Sequence, residues 1–232
     1  MNNVAIIPAR GGSKRIPKKN IKHFSGVPII AYSIKAALES GLFKEVLVST
    51  DDLEIAKIAE SFGASVPFIR SSENASDFAS TSDVIEEVVK ELKNKSKFYE
   101  NICCIYPCAP FISNENLTEA YNLMVNNDFD SVFPVVPFTS KIQRAFKLLS
   151  EKIEMVYPEF EFSRSQDLES AFYDSGQFYW VQTEKFNNNK KLFTKNSGAI
   201  ILDELKAHDI DTEIDWQIAE IKYSLLKKIE NV

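Results

Sequence analysis

The sequence predicts an α/β protein of Rossmann-like type, with a mostly parallel sheet flanked by helices, and three observations carry that prediction. Short β-branched runs alternate with segments of helical period, the first run (Val4 to Ile7) is apolar throughout, and a glycine-containing loop follows it at once. Alternation of this kind builds right-handed βαβ connections, and a strand with no polar face suits a place buried on both sides.

Val4 to Ile7 is the first expected strand, and Pro28 to Ser40 the first helix, with Pro28 suited to a first turn and Gly41 to the stop. Val46 to Val48 reads as a strand and Leu53 to Phe62 as a helix, capped by Asp51 or Asp52 and ended by Gly63. The series continues through strand Ser65 to Ile69, helix Ser82 to Lys93, strand Ile102 to Tyr106, helix Asn116 to Val125 and strand Ser131 to Val136. After Pro137 the alternation gives way to an aromatic, charged stretch reaching about Trp180, too long for one connection in a compact domain. Residues 1–137 and 181–232 are therefore expected to form the α/β domain, and 138–180 a β-rich excursion that packs on something else, such as a second subunit. The chain returns with a possible strand, Ala199 to Leu202, and closes with an amphipathic helix from Thr212 to Lys228.

The length of 232 residues, 44% hydrophobic and 12% aromatic, suffices for one ordinary core. A net charge of -6 argues against a general nucleic-acid binder, which needs a basic surface, so any anion site must be local. Met1 to Ala9 carries only a short apolar run without a charged lead-in, and no segment approaches the ~20 apolar residues of a membrane helix. A soluble cytoplasmic chain with no membrane partner is expected. Cys103, Cys104 and Cys108 fit neither a disulfide framework nor a CxxC pair and read as small buried side chains.

Such a local anion site lies directly after the first strand, where Arg10, Lys14, Arg15, Lys18 and Lys19 put five cations within ten residues. In an open α/β sheet, ligands bind beyond the carboxyl ends of the strands. Gly11-Gly12-Ser13 allows a tight turn that brings N–H groups to phosphate oxygens, and the cations add charge-assisted hydrogen bonds. The spacing matches neither GxxxxGK[ST] nor GxGxxG. Taken alone, the loop could equally be a solvated surface segment.

The run from Arg10 to Asn20 (RGGSKRIPKKN) resembles the nucleotide-binding signature of the CMP-sialic acid synthetase family, and the resemblance spans nearly the whole chain. It includes Ser49-Thr50-Asp51, Arg70, the Asp77 to Thr81 segment, Pro107-Cys108-Ala109-Pro110 and Asp209-Ile210-Asp211-Thr212. Arg164 to Leu168 and Tyr173 to Gln177 are most similar to its pseudaminic acid branch. The resemblance implies a fold of the nucleotide-diphospho-sugar transferase type, CTP as co-substrate, magnesium as cofactor, and a homodimer that uses the excursion. It implies that Arg10, Gly11, Gly12, Ser13, Asn20, Arg70, Ser80 and Thr81 hold the nucleotide, and that Lys14, Arg15 and Lys19 face its phosphates.

If residues 209–211 are extended, Asp209 and Asp211 share a face while His208 and Ile210 point away. Such a pair suits magnesium, which takes one or two carboxylates plus water and phosphate oxygens. The resemblance implies the same role. The competing reading is a helix cap around Asp211, Thr212 and Asp215, which leaves Asp209 unexplained. With two histidines in the chain, a histidine zinc site is not expected.

For the sugar, Tyr106 stands where sialic acid synthetases commonly have glutamine, and Cys108-Ala109 where Thr-Ser is frequent. A phenol offers one hydroxyl and a flat face in place of an amide, which favours a sugar other than N-acetylneuraminic acid. Gln143, Arg144, Arg164, Gln166, Asp174, Gln177, Phe178 and Tyr179 complete a polar and aromatic set suited to a carboxylated, N-acylated sugar. Alternatives stand beside these roles: Arg70 pairing with Glu73, Ser80 or Thr81 capping a helix, Arg164 pairing with Asp174, and Phe178 to Trp180 serving as core. The expected reaction is attack of a nonulosonic acid's anomeric hydroxyl on the α-phosphorus of CTP, releasing pyrophosphate. Legionaminic and neuraminic acid synthetases are the nearest alternatives. A ketodeoxyoctonate synthetase is weakened by the lack of an extra acidic ligand in the Tyr106-Pro107-Cys108 turn, and a non-enzymatic CTP-binding regulator is the reading from another class.

Overall fold

Val4, Ala5, Ile6 and Ile7 have no accessible surface, which only an interior strand allows. In the computed structural model, which describes residues 1–230, they form strand β1 (Asn3–Pro8). It pairs in parallel with β4 (Glu45–Ser49) on one side and β5 (Asn101–Ile105) on the other. Two short strands, β2 (His23–Phe24) and β3 (Val27–Pro28), make a small hairpin before helix α1 (Ile30–Glu39). Pro28 thus precedes α1 instead of entering its first turn. Gly41 and Gly63 lie just past α1 and α2 (Leu53–Ser61) with φ of 66° and 94°, a left-handed conformation that costs glycine little.

Side-chain caps fix the starts of the next three helices. Asp52 accepts from the Glu54 and Ile55 amides at 2.7 and 3.2 Å at the start of α2. Ser80 and Asp83 form a reciprocal capping box at α3 (Thr81–Asn94), and Ser113 caps α4 (Asn114–Asn126). The expected strand Ser65 to Ile69 shrinks to two isolated bridges, Leu47 with Ser65 and Thr50 with Ile69. Pro67 between them has no N–H for a ladder.

β6 (Ser131–Pro137), β9 (Phe172–Asp174), β10 (Phe178–Gln182) and β11 (Ser197–Ile201) complete a seven-stranded sheet, with α5 (Thr183–Asn189) following β10. Its order is β11-β6-β10-β5-β1-β4, with β9 on β6. Because β10 is antiparallel to both β5 and β6, and β9 antiparallel to β6, the other five strands share one direction. The sheet is therefore mixed but mostly parallel, as expected. The insertion of β10 at its centre was not. Phe178 to Trp180 belong to this strand, so the last residues of the expected excursion are sheet, and the hairpin β7 (Phe146–Leu149) and β8 (Lys152–Met155) lies outside it.

The closing helix α6 (Glu213–Glu230) packs Trp216 and Ala219 into a cluster with Ile16, Phe24, Ile29, Phe111 and Ile210. That cluster joins the basic loop to the Asp209–Asp211 segment through their buried isoleucines. Among the described residues no helix is long and apolar enough to cross a membrane.

Candidate functional site

A cleft of about 480 Å³ opens beyond the carboxyl ends of β1 and β5 and gathers side chains from distant parts of the chain. From the basic loop it takes Arg10, Ser13, Lys14, Arg15, Lys19 and Asn20. The loop is tied by its own polar groups: the Gly11 amide donates to Asp51 Oδ1 at 2.9 Å, and Asn20 Nδ2 donates to the Arg10 carbonyl at 2.8 Å. Cys108 Sγ donates to Asn20 Oδ1 at 3.2 Å, and burial pushes its thiol up to about 12, so it stays a protonated donor. Asn20 is thus the strap of the loop. Gly11 is required by close approach, since a Cβ there would meet Asp52 Oδ2 at 2.8 Å, whereas one on Gly12 would meet nothing.

The cations are held by carboxylates. Arg10 Nη1 lies 2.8 Å from Asp77 Oδ1, and Lys14 pairs with the other oxygen of the same group. Lys14 first, then Arg10, holds the Asp77 carboxyl below its ordinary range. Arg15 and Lys19 approach Asp211 at 2.6 and 3.5 Å. Lys18, in a left-handed backbone conformation, turns to Glu54 on α2 and leaves the cleft to the other four.

Asp209 and Asp211 both line the cleft while Ile210 between them is 1% exposed, so the two carboxylates share a face as expected of an extended segment. The capping reading holds too: Asp215 Oδ2 accepts from the Thr212 amide at 2.7 Å, and Thr212 Oγ1 accepts from the Asp215 amide at 3.2 Å. Asp209 has no hydrogen bond or ion pair among the described residues, and capping gives it no work. No group of three or more His, Cys, Asp or Glu side chains suited to a metal occurs among the described residues. Two carboxylates, with the nearby Cys108 thiol kept protonated as a donor to Asn20, fit magnesium, which draws its remaining ligands from water and phosphate.

The far wall carries Arg70, Ser80, Thr81, Tyr106 and Gly176. Arg70 is 5% exposed and donates to Ser49 Oγ at 3.0 Å and to the Ser49 carbonyl, not to Glu73. Burial lowers its pKa, opposed by Asp51 and Glu87. Ser80 is committed to the α3 cap, while Thr81 Oγ1 lies 3.2 Å from the Tyr106 hydroxyl.

The sequence profile of the Cytidylyltransferase family matches residues 4–232. The chain belongs to the cytidylyltransferase family. It is 39% identical over 226 residues, 97% of either chain, to a pseudaminic acid cytidylyltransferase of Campylobacter jejuni. It is 34% identical to a CMP-N,N'-diacetyllegionaminic acid synthase of Legionella pneumophila, over 95% of each. Among solved structures, a CMP:2-keto-3-deoxy-manno-octonic acid synthetase complexed with CTP superimposes with a TM-score of 0.70 at 15% identity, over 98% of this chain and 100% of that one, a likeness of fold.

For a cytidylyltransferase, the sugar residues expected from sequence divide in two. Asp174 and Tyr179 stand behind Tyr106: Tyr179 is 5% exposed and donates its hydroxyl to Asp174 Oδ2. Phe178 is fully buried core, and Gln177 donates to the Lys206 carbonyl at 2.6 Å, its Oε1 buried without a partner. Gln143, Arg144, Arg164 and Gln166 do not line the cleft. Gln143 bonds the Glu169 carbonyl, Arg144 the Glu161 and Ser163 carbonyls, and Arg164 pairs with Asp167, not Asp174. The donors of Gln143, Arg144 and Arg164 are thus spent within their own segment, while Gln143 Oε1 is buried without a partner. Ser76 and Asn74 line the cleft without having been singled out, and Asp77, named only as the start of the resembling Asp77 to Thr81 segment, had been given no role. The one acidic side chain in the polar run from Asn74 to Ser82 was the available signal.

Proposed function

We propose that this chain transfers CMP from CTP to the anomeric hydroxyl of a nonulosonic acid, pseudaminic acid first, with release of pyrophosphate. The observation that carries the reading is one cleft holding Arg10, Lys14, Arg15 and Lys19 together with Asp209 and Asp211. The Campylobacter relative supports pseudaminic acid, and the Legionella relative keeps a legionaminic acid as the second reading.

In this reading Lys14, Arg15 and Lys19 neutralise the departing pyrophosphate, and Arg10, with the Gly11 to Ser13 backbone, orients the triphosphate. Asp209 and Asp211 hold magnesium, which when bound supplies charge neutralisation at the reacting phosphate. Arg70 and Thr81 face the base, and Tyr106 lies towards the sugar. The exposed apolar side chains of the 146–155 hairpin, among them Leu148 and Ile153, support a homodimer formed through this arm. Gln143, Arg144, Arg164 and Gln166 would then serve the sugar in the partner's cleft. Use of CTP assigns the chain to the cytoplasm.

The deciding experiment measures pyrophosphate release with CTP and purified pseudaminic, legionaminic and N-acetylneuraminic acids, in magnesium and in chelator. Release in magnesium, fastest with pseudaminic acid and abolished in Asp211→Ala, is expected. Equal turnover in chelator would remove the metal role; CTP binding with no release for any sugar would favour a regulator.

A further inference from the structure

Three backbone carbonyls on the way to Asp209 are held by side chains from outside their own segment. After β11 the chain makes one 3-10 turn at Glu204–Lys206 and runs on irregularly to Asp211, ahead of α6. No strand of the sheet pairs with this stretch among the described residues. Lys222 Nζ, from α6, donates to the Glu204 carbonyl at 3.0 Å and to the Ala207 carbonyl at 3.1 Å. Gln177 Nε2, from the residue just ahead of β10, donates to the Lys206 carbonyl between them at 2.6 Å. Two elements distant in sequence thus grip the same turn.

Gln177 is 3% exposed, and its Oε1 is buried without a partner. An unpaired buried oxygen is costly, and an apolar side chain of similar size would avoid that cost, so the amide donor is what a glutamine supplies here. Its backbone is engaged as well, the carbonyl accepting from the Tyr106 amide at 2.8 Å. Beyond the turn the anchors are of another kind: Ile210 is 1% exposed within its cluster, and the Asp211 amide donates to Asp215 Oδ2 at 3.1 Å. These fix Asp211 and leave the approach to Asp209 to Gln177 and Lys222. Neither of those two side chains is among the ones lining the cleft.

We propose that Gln177 and Lys222 are positioning residues for the metal-binding carboxylates, holding the 204–207 turn so that Asp209 stands beside Asp211 in the cleft. The inference rests on the reading that Asp209 and Asp211 hold magnesium. Partners that orient metal ligands are typically worth about 10–100-fold in metal affinity. Gln177→Glu keeps the shape of the side chain but sets an acceptor against the Lys206 carbonyl, and Lys222→Met keeps most of its length without the donor.

The test titrates the nucleotide-free enzyme with Mn2+ by electron paramagnetic resonance. Calorimetry gives CTP affinity in chelator, and pyrophosphate release is followed against Mg2+ and sugar. Each variant is expected to weaken Mn2+ binding, and to raise the Mg2+ concentration for half-maximal turnover, by about tenfold or more. CTP affinity in chelator and the KM for the sugar should stay unchanged, and most of the wild-type kcat should return at saturating Mg2+. Trp180→Phe, which gives up the bond to the Leu117 carbonyl, controls for lowered stability: it should melt earlier and bind Mn2+ as wild type does. Metal affinity within about twofold of wild type in whichever variants fold, a loss shared by Trp180→Phe, or a change confined to the KM for the sugar overturns the proposal. Mn2+ binding that Asp211→Ala leaves unaltered refutes the metal reading and the proposal with it. Binding that is lost in Asp211→Ala but kept in Gln177→Glu and Lys222→Met overturns the positioning role alone.

Discussion

At the scale of single residues, the site is organised by exchangeable charge. Asp77 holds Arg10 and Lys14, and Asp211 holds Arg15 and Lys19, so the cations are set in place before any anion arrives. Such exposed pairs contribute little stability, which makes them easy to exchange for the triphosphate of the proposed reaction. The loop bearing them depends on close packing at one glycine. Gly11→Ala places a Cβ at 2.8 Å from Asp52 Oδ2, and Asp52 is committed to the α2 cap. The expected cost is about 1–3 kcal/mol with weakened CTP binding, read by thermal melting and calorimetry. Gly12→Ala, with open space around it, should leave both unchanged. Equal effects of the two would refute the packing argument.

Among the elements, α3 carries Thr81 to the cleft and is held at its start by the Ser80–Asp83 box. Hydrogen bonds from the Ser80 side chain and backbone hold the Asp83 carboxyl below its ordinary 3.8. A lowered folded value means that the cap contributes fully above that ordinary value and loses its contribution as pH falls through the lower one. Asp83→Ala should therefore destabilise the protein by about 1 kcal/mol at neutral pH. In denaturant melts, the gap from wild type should persist down to pH 3.8 and close only below it. A gap that closes at higher pH would mean that Asp83 is not held by its cap.

For the whole molecule, the arm is one of two parts that leave several apolar side chains open: Phe146, Leu148, Leu149 and Ile153 are exposed, and so are Ile214, Ile218, Ile221 and Leu225 on α6. Exposed apolar side chains of this kind suit the interface of the proposed homodimer. Replacing Leu148 and Ile153 together with lysine should convert a dimer to a monomer in light scattering and lower turnover, while CTP binding in the cleft persists. A wild-type enzyme that is monomeric and fully active would contradict the homodimer.

The sequence by itself determined the interior strand Val4 to Ile7, the helix stops at Gly41 and Gly63, a carboxylate cap at Asp51 or Asp52, and the two charged segments that meet in the cleft. Each of these is a local property: an unbroken apolar run, a residue tolerant of left-handed backbone, a carboxylate beside free amides. Only the tertiary structure decided what depends on distant partners. It set β10 antiparallel in the middle of the sheet, turned Lys18 away to Glu54, brought Asp77 onto Arg10 and Lys14, and kept Arg144 and Arg164 out of the cleft. Arg15 meets Asp211 across 196 residues of chain, a contact that the buried Ile16 and Ile210 enforce by packing in one cluster. Side-chain partners at such separation follow from how the layers close, which no window of sequence contains.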